Sequence, residues 1–539
     1  MKRLPDVRLL IACTLSAVLL SIPWLVPHTG ALALVGFIPL LLADAAADRI
    51  GIRRFFPYHF YTFILWNTLT TFWVCNATVG GGIFAIVANA AQMSLVWTLF
   101  RLARRRLPGA VPYVFLAVMW IAWEARYFEV DISWPWLVLG NAFATSTRSI
   151  QWYEYTGTLG GSLWVWLVNL GAFGLICSVA DGRWHAWTKA ARICSFAGVV
   201  LALAGPLVLS KCIYDNYEEV SEGSVAVVIA QPNLDPYEKF ESLPQSAQTE
   251  RLLSLFDRGL ADVPDSSSVL LLAPETFTSD VVVNDIGASP TVQAFRRYLA
   301  SRPGTEMLFG ASAIETFGTR SAPSPCARRY GDGWYISRNS AIMTGPDSSA
   351  QIYHKSRLVV GVEMTPYPKI FVPVDDFLAD LFGLYSLMGR CEGQEDPSVL
   401  SFGTVPLGCA ICYESVYGKF CTGYVRAGAQ AMTVITNDAW WGDTPGYRQH
   451  LSYSRLRAIE LRRDIARCGN TGISCFIDQR GEIVSSTPWW EQAVLSGCLN
   501  LNGGQTFFVR NGDMVGRIST LAFILLAALL AVRFIMPRR

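Results

Sequence analysis

Three short stretches of the chain carry side chains suited to nucleophilic chemistry. Residues 408–418 read G-C-A-I-C-Y-E-S-V-Y-G and place Cys412 at the end of the apolar run V-P-L-G-C-A-I-C, with Tyr413 and Glu414 next. Upstream, L-L-A-P-E-T-F sets Glu275 just past an apolar run, and Y-H-K-S-R-L puts Lys355 at the entry of a loop that also holds Glu363. A thiol is a weak nucleophile at its free pKa and needs a base or a cationic neighbour. Glu275 is a candidate base. Lys355 is a candidate cation that would stabilise both a thiolate and the oxyanion formed when it attacks a carbonyl.

Each residue has a plainer reading. Glu275 can be a helix cap or a surface carboxylate, and Lys355 a solvated lysine. Cys409 and Cys412 form C-x-x-C, but no second pair stands at zinc-finger spacing and no thioredoxin-like context surrounds them. Strand alternation would put Cys409 on one face with Ile411, and Cys412 on the other with Ala410, so Cys409 is expected to be packed. The residues taken singly leave these alternatives open.

The elements that must position these groups follow from apolar runs. Short strands are expected at 225–230, 268–273, 307–311, 340–344, 404–411 and 432–436, and helical periodicity runs over 447–467. Strands alternating with helices indicate a layered α/β domain. Its functional residues belong on loops at the strand ends.

The rest of the chain is greasy. Windows with little or no charge recur at about 9–27, 29–43, 56–75, 76–100, 107–123, 155–180 and 193–210, and a last one begins at Ile518. The second is short and contains Pro39. The first lacks a signal-like cleavage site and is followed by further spans. Basic residues fall in five clusters: Lys2, Arg3 and Arg8; Arg49, Arg53 and Arg54; Arg101, Arg104, Arg105 and Arg106; Arg183, Lys189 and Arg192; Arg538 and Arg539. All five lie on one side if there are eight spans with both ends cytoplasmic, which places 212–516 outside the cytoplasmic membrane. The loop at 124–154, with Trp134 and Trp136, reads either as an interfacial aromatic belt or as a surface that helps present lipid. No charged residue is expected deep within a span, which argues against a translocation path. The expected domains are 1–212 with seven spans, 213–515 as the outer domain, and 516–539 as a final span with its tail.

Composition agrees. Of 539 residues, 52% are hydrophobic, and 44 Lys+Arg against 42 Asp+Glu leave a net charge of +2, which gives no reason to expect a nucleic acid partner. Five His make a histidine-rich metal centre improbable, and thirteen Cys leave at least one unpaired. Cys326 and Cys391 are suitable to pair in an oxidising compartment, though nothing in their spacing requires it.

The motifs A-P-E at 273–275, Y-H-K at 353–355 and C-Y-E at 412–414 resemble the Glu-Lys-Cys triad of the nitrilase (carbon–nitrogen hydrolase) superfamily. Together with the spans, V-I-A-Q-P-N at 228–233, R-N-S at 338–340, K-S-R-L-V-V-G-V-E at 355–363, N-D-A-W-W-G-D at 437–443 and H-L-S-Y-S-R-L-R-A-I-E at 450–460, the chain resembles the bacterial apolipoprotein N-acyltransferase family. The resemblance implies a membrane domain of eight spans joined to a nitrilase-like domain of αββα layers that faces the periplasm from the inner membrane. It makes Cys412 the nucleophile, Glu275 the base, Lys355 the electrostatic partner and Glu363 a further essential carboxylate. Tyr413, Glu414, Asn339, Phe240, Trp440 and Trp441 are implied near substrate, with Phe240 where the family often has Trp. The expected donor is a phospholipid, typically phosphatidylethanolamine, and the expected acceptor a diacylglyceryl lipoprotein. No cofactor or metal is implied, and a monomer is expected. The alternative is a membrane-anchored nitrilase-type amidase that uses water.

Overall fold

The computed structural model describes residues 6–264, 268–347 and 349–535, apart from the side chains of Phe240 and Glu241. Lys2, Arg3, Arg538 and Arg539 of the basic clusters lie outside the described residues. The chain forms two compact units: one holds the N-terminal part through Tyr217 together with Asn511 onward, and the other is Glu218–Arg510.

The first unit is helical. Six helical segments are long and apolar enough to cross a membrane: Val7–Leu25, Gly30–Arg49, Val79–Arg104, Thr158–Ala180, Lys189–Asn216 and Met514–Ile535. Two further apolar helices, Phe56–Thr71 and Val111–Tyr127, have 16 and 17 residues. The segment at Gly30–Arg49 is broken, with one helix at Ala33–Gly36 and the next at Ile38–Arg49, where Pro39 occupies the first turn. Asn169, fully buried, repairs the break: its Oδ1 accepts from Phe37 N at 2.8 Å and its Nδ2 donates to Ala33 O at 2.9 Å. In an apolar surrounding such backbone groups must find an internal partner.

Charge enters this unit further than the sequence windows suggest. Those windows stop one residue short of Asp44 and Glu124, but the helices continue through both, and both are buried. Asp44 pairs with Arg101 and with Arg104, the latter at 2.9 Å, and Asp48 pairs with the same two arginines at 2.7 Å each. Glu124 accepts from Trp120 Nε1 at 3.0 Å and Leu139 N at 2.9 Å. Asp44 is thus matched by arginines, whereas Glu124 has neutral donors on one of its oxygens. The 124–154 loop also differs from expectation. Trp136 is fully buried, stacks on Trp134 with centroids 5.3 Å apart and packs edge-on to Trp73 at 4.8 Å. It is a core residue of this unit and not an exposed lipid-presenting surface.

The second unit is built on two sheets. The first has the strand order 493–500, 224–231, 269–272, 305–317, 333–344, 328–330, with 278–282 and 351–354 pairing at its side. The second runs 483–486, 475–477, 465–469, 431–436, 405–411, 399–402. The central strands are apolar on both faces: Val269–Leu272 and Ala431–Thr436 are buried at every position. That is the mark of sheets covered on both sides. Gln245–Leu260 and Pro290–Leu299 pack on the first sheet, Gly418–Arg426 and Pro445–Leu461 on the second, and the two sheets face each other. The result is the αββα arrangement. The helix expected over 447–467 stops at Leu461, where Arg462 adopts a left-handed φ of +49°, and Ile465–Gly469 is a central strand. The charged run misled the periodicity because Arg463 and Arg467 are buried side chains and not a solvated face.

Candidate active site

Three strand ends bring the predicted groups together. Glu275 follows Val269–Leu272 and lies so close to the neighbouring strand that a Cβ on Gly310 would stand 2.5 Å from the Glu275 Cα. A side chain there would push the carboxylate out of place. Lys355 follows Gln351–His354, with its own N–H donated to Asn339 O at 2.8 Å. Cys412 ends Val405–Ile411 and opens a tight turn, Cys412–Val416, with a left-handed φ of +51°. A non-glycine residue in that region costs about 1–3 kcal/mol and is held there by its surroundings.

The Lys355 ammonium is almost fully buried and donates to Glu275 Oε1 and Glu363 Oε1, each at 2.9 Å. Burial works to lower its pKa, but the charges of Glu275 and Glu363 outweigh that and hold it well above the usual lysine value. Asn339 Nδ2 spans the same two oxygens, at 2.8 and 2.7 Å. The other oxygens are fixed by main-chain donors, Asn437 N on Glu275 at 3.1 Å and Val359 N on Glu363 at 2.7 Å. Asn339, expected near substrate, therefore spends its donors on the two carboxylates and serves to position them.

Cys412 is buried. Burial first, then the Glu275 carboxylate, push its thiol well above the usual value, while Lys355 and a hydrogen bond with Thr436 pull the other way. Cys412 is thus a neutral thiol close to the Glu275 carboxylate. Its neighbour in the C-x-x-C, Cys409, is fully buried on the opposite face and pushed up to about 12 by burial, as a packed residue should be. All thirteen cysteines are free, including Cys326 and Cys391.

Two of the expected substrate-side residues, Glu414 and Tyr413, are buried. Glu414 is fully buried and accepts from Tyr353 OH at 2.6 Å, Ser356 N at 2.6 Å, Ile411 N at 2.8 Å, Tyr424 OH at 3.0 Å and Arg357 N at 3.2 Å. It staples the Lys355 loop to the Cys412 turn. Tyr413 is also buried, edge-on to Tyr417 at 5.1 Å. Glu414→Gln would present an amide N–H to donors and is expected to cost about 2–4 kcal/mol, since hydrogen bonds to a charged group contribute about 1.5–3 kcal/mol each. A thermal melt in detergent checks this. A variant of unchanged stability but altered substrate preference would restore the substrate-side reading.

Trp440 is 38% exposed and meets Tyr237 edge-on at 5.9 Å, whereas Trp441 packs on His450 at 5.5 Å. Phe240 belongs to the short helix Pro236–Glu241, and its side chain lies outside the described residues. On the same helix sits Lys239, which sequence reasoning did not single out. It is buried and donates to Thr276 O at 2.5 Å, beside the base, and burial lowers its pKa to about 7 against the pull of Glu275. Also missed was a network behind Cys412 formed by Thr436, Asp438, His450 and Arg467, though the N-D-A-W-W-G-D and H-L-S-Y-S-R motifs contain two of its members, Asp438 and His450. Cys412, Asp438 and His450 offer ligand atoms within 4.8 Å of one another. Arg467 occupies the same carboxylate at 2.5 Å, so a cation there would have to displace it, and the donor set suits an ion-pair network better than a metal.

The arrangement sets a buried thiol beside a carboxylate and a buried lysine on an αββα scaffold. Residues 268–507 match the family model for carbon-nitrogen hydrolase, the class that fold and site define. Residues 16–171 match the model for the apolipoprotein N-acyltransferase N-terminal domain. Over nearly its whole length the chain is similar to apolipoprotein N-acyltransferases. Among similar proteins, the apolipoprotein N-acyltransferase of Chlorobaculum tepidum is 29% identical over 96% of both chains. That of Geobacter metallireducens is 26% identical over 93% of this chain and 91% of the relative, and that of Pasteurella multocida 24% over 94% and 92%.

Proposed function

We propose that this chain is a membrane-embedded apolipoprotein N-acyltransferase that works through a thioester on Cys412. The observation that carries the reading is the neutral Cys412 thiol next to Glu275 and the Lys355 ion pair, in a chain whose helical unit matches the acyltransferase N-terminal domain. In the first half-reaction Glu275 takes the thiol proton as sulfur attacks the sn-1 ester carbonyl of a phospholipid. The carbon–oxygen bond breaks, and Glu275 returns the proton to the leaving alkoxide, giving lysophospholipid. In the second, the α-amine of an S-diacylglyceryl-cysteine attacks the thioester, the carbon–sulfur bond breaks, and the amine proton passes through Glu275 to the thiolate. Lys355 faces the oxyanion formed in both steps.

Two membrane-anchored substrates account for a catalytic unit tied to apolar helices at both ends. Eight spans, counting the two shorter helices, put the basic clusters at Arg49–Arg54, Arg101–Arg106 and Arg183–Arg192 on one cytoplasmic side of an inner membrane and the catalytic unit in the periplasm. A lipid donor is also supported by the helix Pro368–Phe382, which begins five residues after Glu363 and exposes Ile370, Phe377, Leu381 and Phe382 at 63–67%. Phosphatidylethanolamine is the proposed donor and a diacylglyceryl lipoprotein the acceptor, with the enzyme acting as a monomer.

Intact-mass analysis after mixing with phosphatidylethanolamine tests the reading. The native chain should gain one acyl mass that a diacylglyceryl peptide removes, and Cys412→Ala should gain none. Discharge by water alone would make the protein a hydrolase. Absence of any gain, with lipid access demonstrated, would overturn the Cys412 assignment.

A further inference from the structure

His450, on the helix Pro445–Leu461, is completely buried directly behind the nucleophile. Its Nδ1 lies 2.9 Å from Asp438 Oδ1. Asp438 is held as a carboxylate by its buried ion pair with Arg467. Thr436 Oγ1 donates to it at 2.6 Å and Arg467 Nη2 at 2.5 Å. Nδ1 must therefore carry a proton. Arg467 Nη2 also approaches Nδ1, at 3.3 Å, but the carboxylate oxygen is closer, at 2.9 Å, and can only accept, so the Nδ1 proton lies toward Asp438. The other nitrogen, Nε2, lies 3.0 Å from the carbonyl oxygen of Cys412 and 3.1 Å from Ser415 Oγ. A carbonyl can only accept, and Ser415 already donates its hydroxyl proton to that same carbonyl at 2.8 Å. An unprotonated Nε2 would set lone pair against lone pair, so Nε2 carries a proton as well.

We propose that His450 is a positioning residue for the nucleophile: as an imidazolium, it clamps the Cys412 carbonyl from behind and favours the thiolate during attack. This rests on Cys412 being the nucleophile. Two consequences follow from one contact. The clamp holds Cys412 in its left-handed conformation, with Ser415 as a second donor, and Ser415 and Val416 are in turn fixed by Arg457 Nη1 on their carbonyls at 3.0 and 2.9 Å. The network also carries more positive than negative charge, His450 and Arg467 against Asp438, with imidazole nitrogen and Cys412 sulfur within 4.8 Å. The charged groups that bear on the thiol include Glu275, Lys355 and Asp438, and Asp438 is in turn paired with His450 and Arg467.

His450→Gln retains a donor of similar reach without the charge. Relative to the native chain, it should form the acyl-enzyme about 10–100-fold more slowly with an unchanged KM for phospholipid, as expected for a displaced reacting atom. The pH midpoint of Cys412 alkylation by iodoacetamide, followed on the Cys412 peptide by mass, should move upward by about 1 unit, the effect of losing one close positive charge. A purely structural role would lower stability and leave that midpoint in place, and an unmoved midpoint with a native acylation rate overturns the inference. Should this variant fail to fold, the native protein supplies the test. With five histidines in the chain, nitrogen-15 solid-state NMR should find one ring doubly protonated at pH 8, and finding none refutes the imidazolium. A native protein that never forms an acyl-enzyme would instead count against Cys412 as nucleophile.

Discussion

Glu275→Gln should slow acyl-enzyme formation by about 10³-fold, within the range attributed to a positioned general base. The same substitution should make Cys412 react more readily with a small electrophile near neutral pH. The two effects have opposite sign for one reason. Glu275 raises the thiol pKa by its charge, so the neutral amide lets the thiolate form at lower pH beside Lys355. Yet the ester needs a group that first takes the thiol proton and then delivers it to the leaving alkoxide, and an amide does neither. The ion pair survives in part, because Lys355 keeps Glu363 and the amide oxygen can still accept from Lys355 and Asn339. Iodoacetamide labelling of the Cys412 peptide across pH, alongside the acyl-enzyme rate, separates the two. If both fall together, Glu275 is a structural residue and the base lies elsewhere.

Lys355→Met carries the second large effect, and it falls on stability as well as rate. Two carboxylates bridged by one asparagine amide would remain, with side chains only 7% and 16% exposed and no cation between them. Stranding buried charge in this way costs about 3–5 kcal/mol. Like charges so close raise the pKa of one carboxyl above its value in the unfolded chain. A group whose folded pKa is raised binds its proton more tightly when folded, so the deficit is largest above that pKa and shrinks as the pH falls through it. The thermal midpoint of the variant should therefore lie furthest below native at alkaline pH and approach it as the pH falls. A deficit of constant size would mean that lost packing, not charge, is responsible. Catalysis should fall about 10²–10³-fold, the usual loss of one oxyanion donor.

Glu275 after 269–272 and Cys412 after 405–411 were legible because each stands just past an apolar strand, whereas Lys355 follows the more polar strand 351–354, which was not expected, and was legible through its motif. What was not legible is where each side chain spends its hydrogen bonds. Glu414 and Tyr413 adjoin the nucleophile in sequence, which suggested a place beside substrate. In a tight turn, however, neighbours point in different directions, and these two point inward. Asn339 lies near the reacting groups as expected, but its amide is consumed by two carboxylates from other strand ends, a long-range fact that no local pattern carries. The overrun of the helix past Leu461 has a related cause. Hydrophobic periodicity treats arginine as solvent-facing, while Arg463 satisfies the carbonyls of Ala429, Leu461 and Arg462 in the interior. The break at Phe37 was foreshadowed by Pro39, but Asn169, 132 residues away, could not be read as its repair.

The burial that keeps Cys412 protonated at rest also bears on how long the protein lasts. Oxidation to sulfenic acid and capture into mixed disulfides both proceed through the thiolate. Cys409, Cys421 and Cys475 are pushed up to about 12 by burial, and burial likewise raises Cys468 and Cys412 well above the usual thiol value. An enzyme proposed to work where oxidants pair exposed thiols thus keeps its nucleophile chemically silent until a bound ester and the base engage it together. Its shelf life in that compartment is set by the same desolvation that sets its rate, so loosening the packing around the Cys412 turn would be expected to shorten the one while it alters the other.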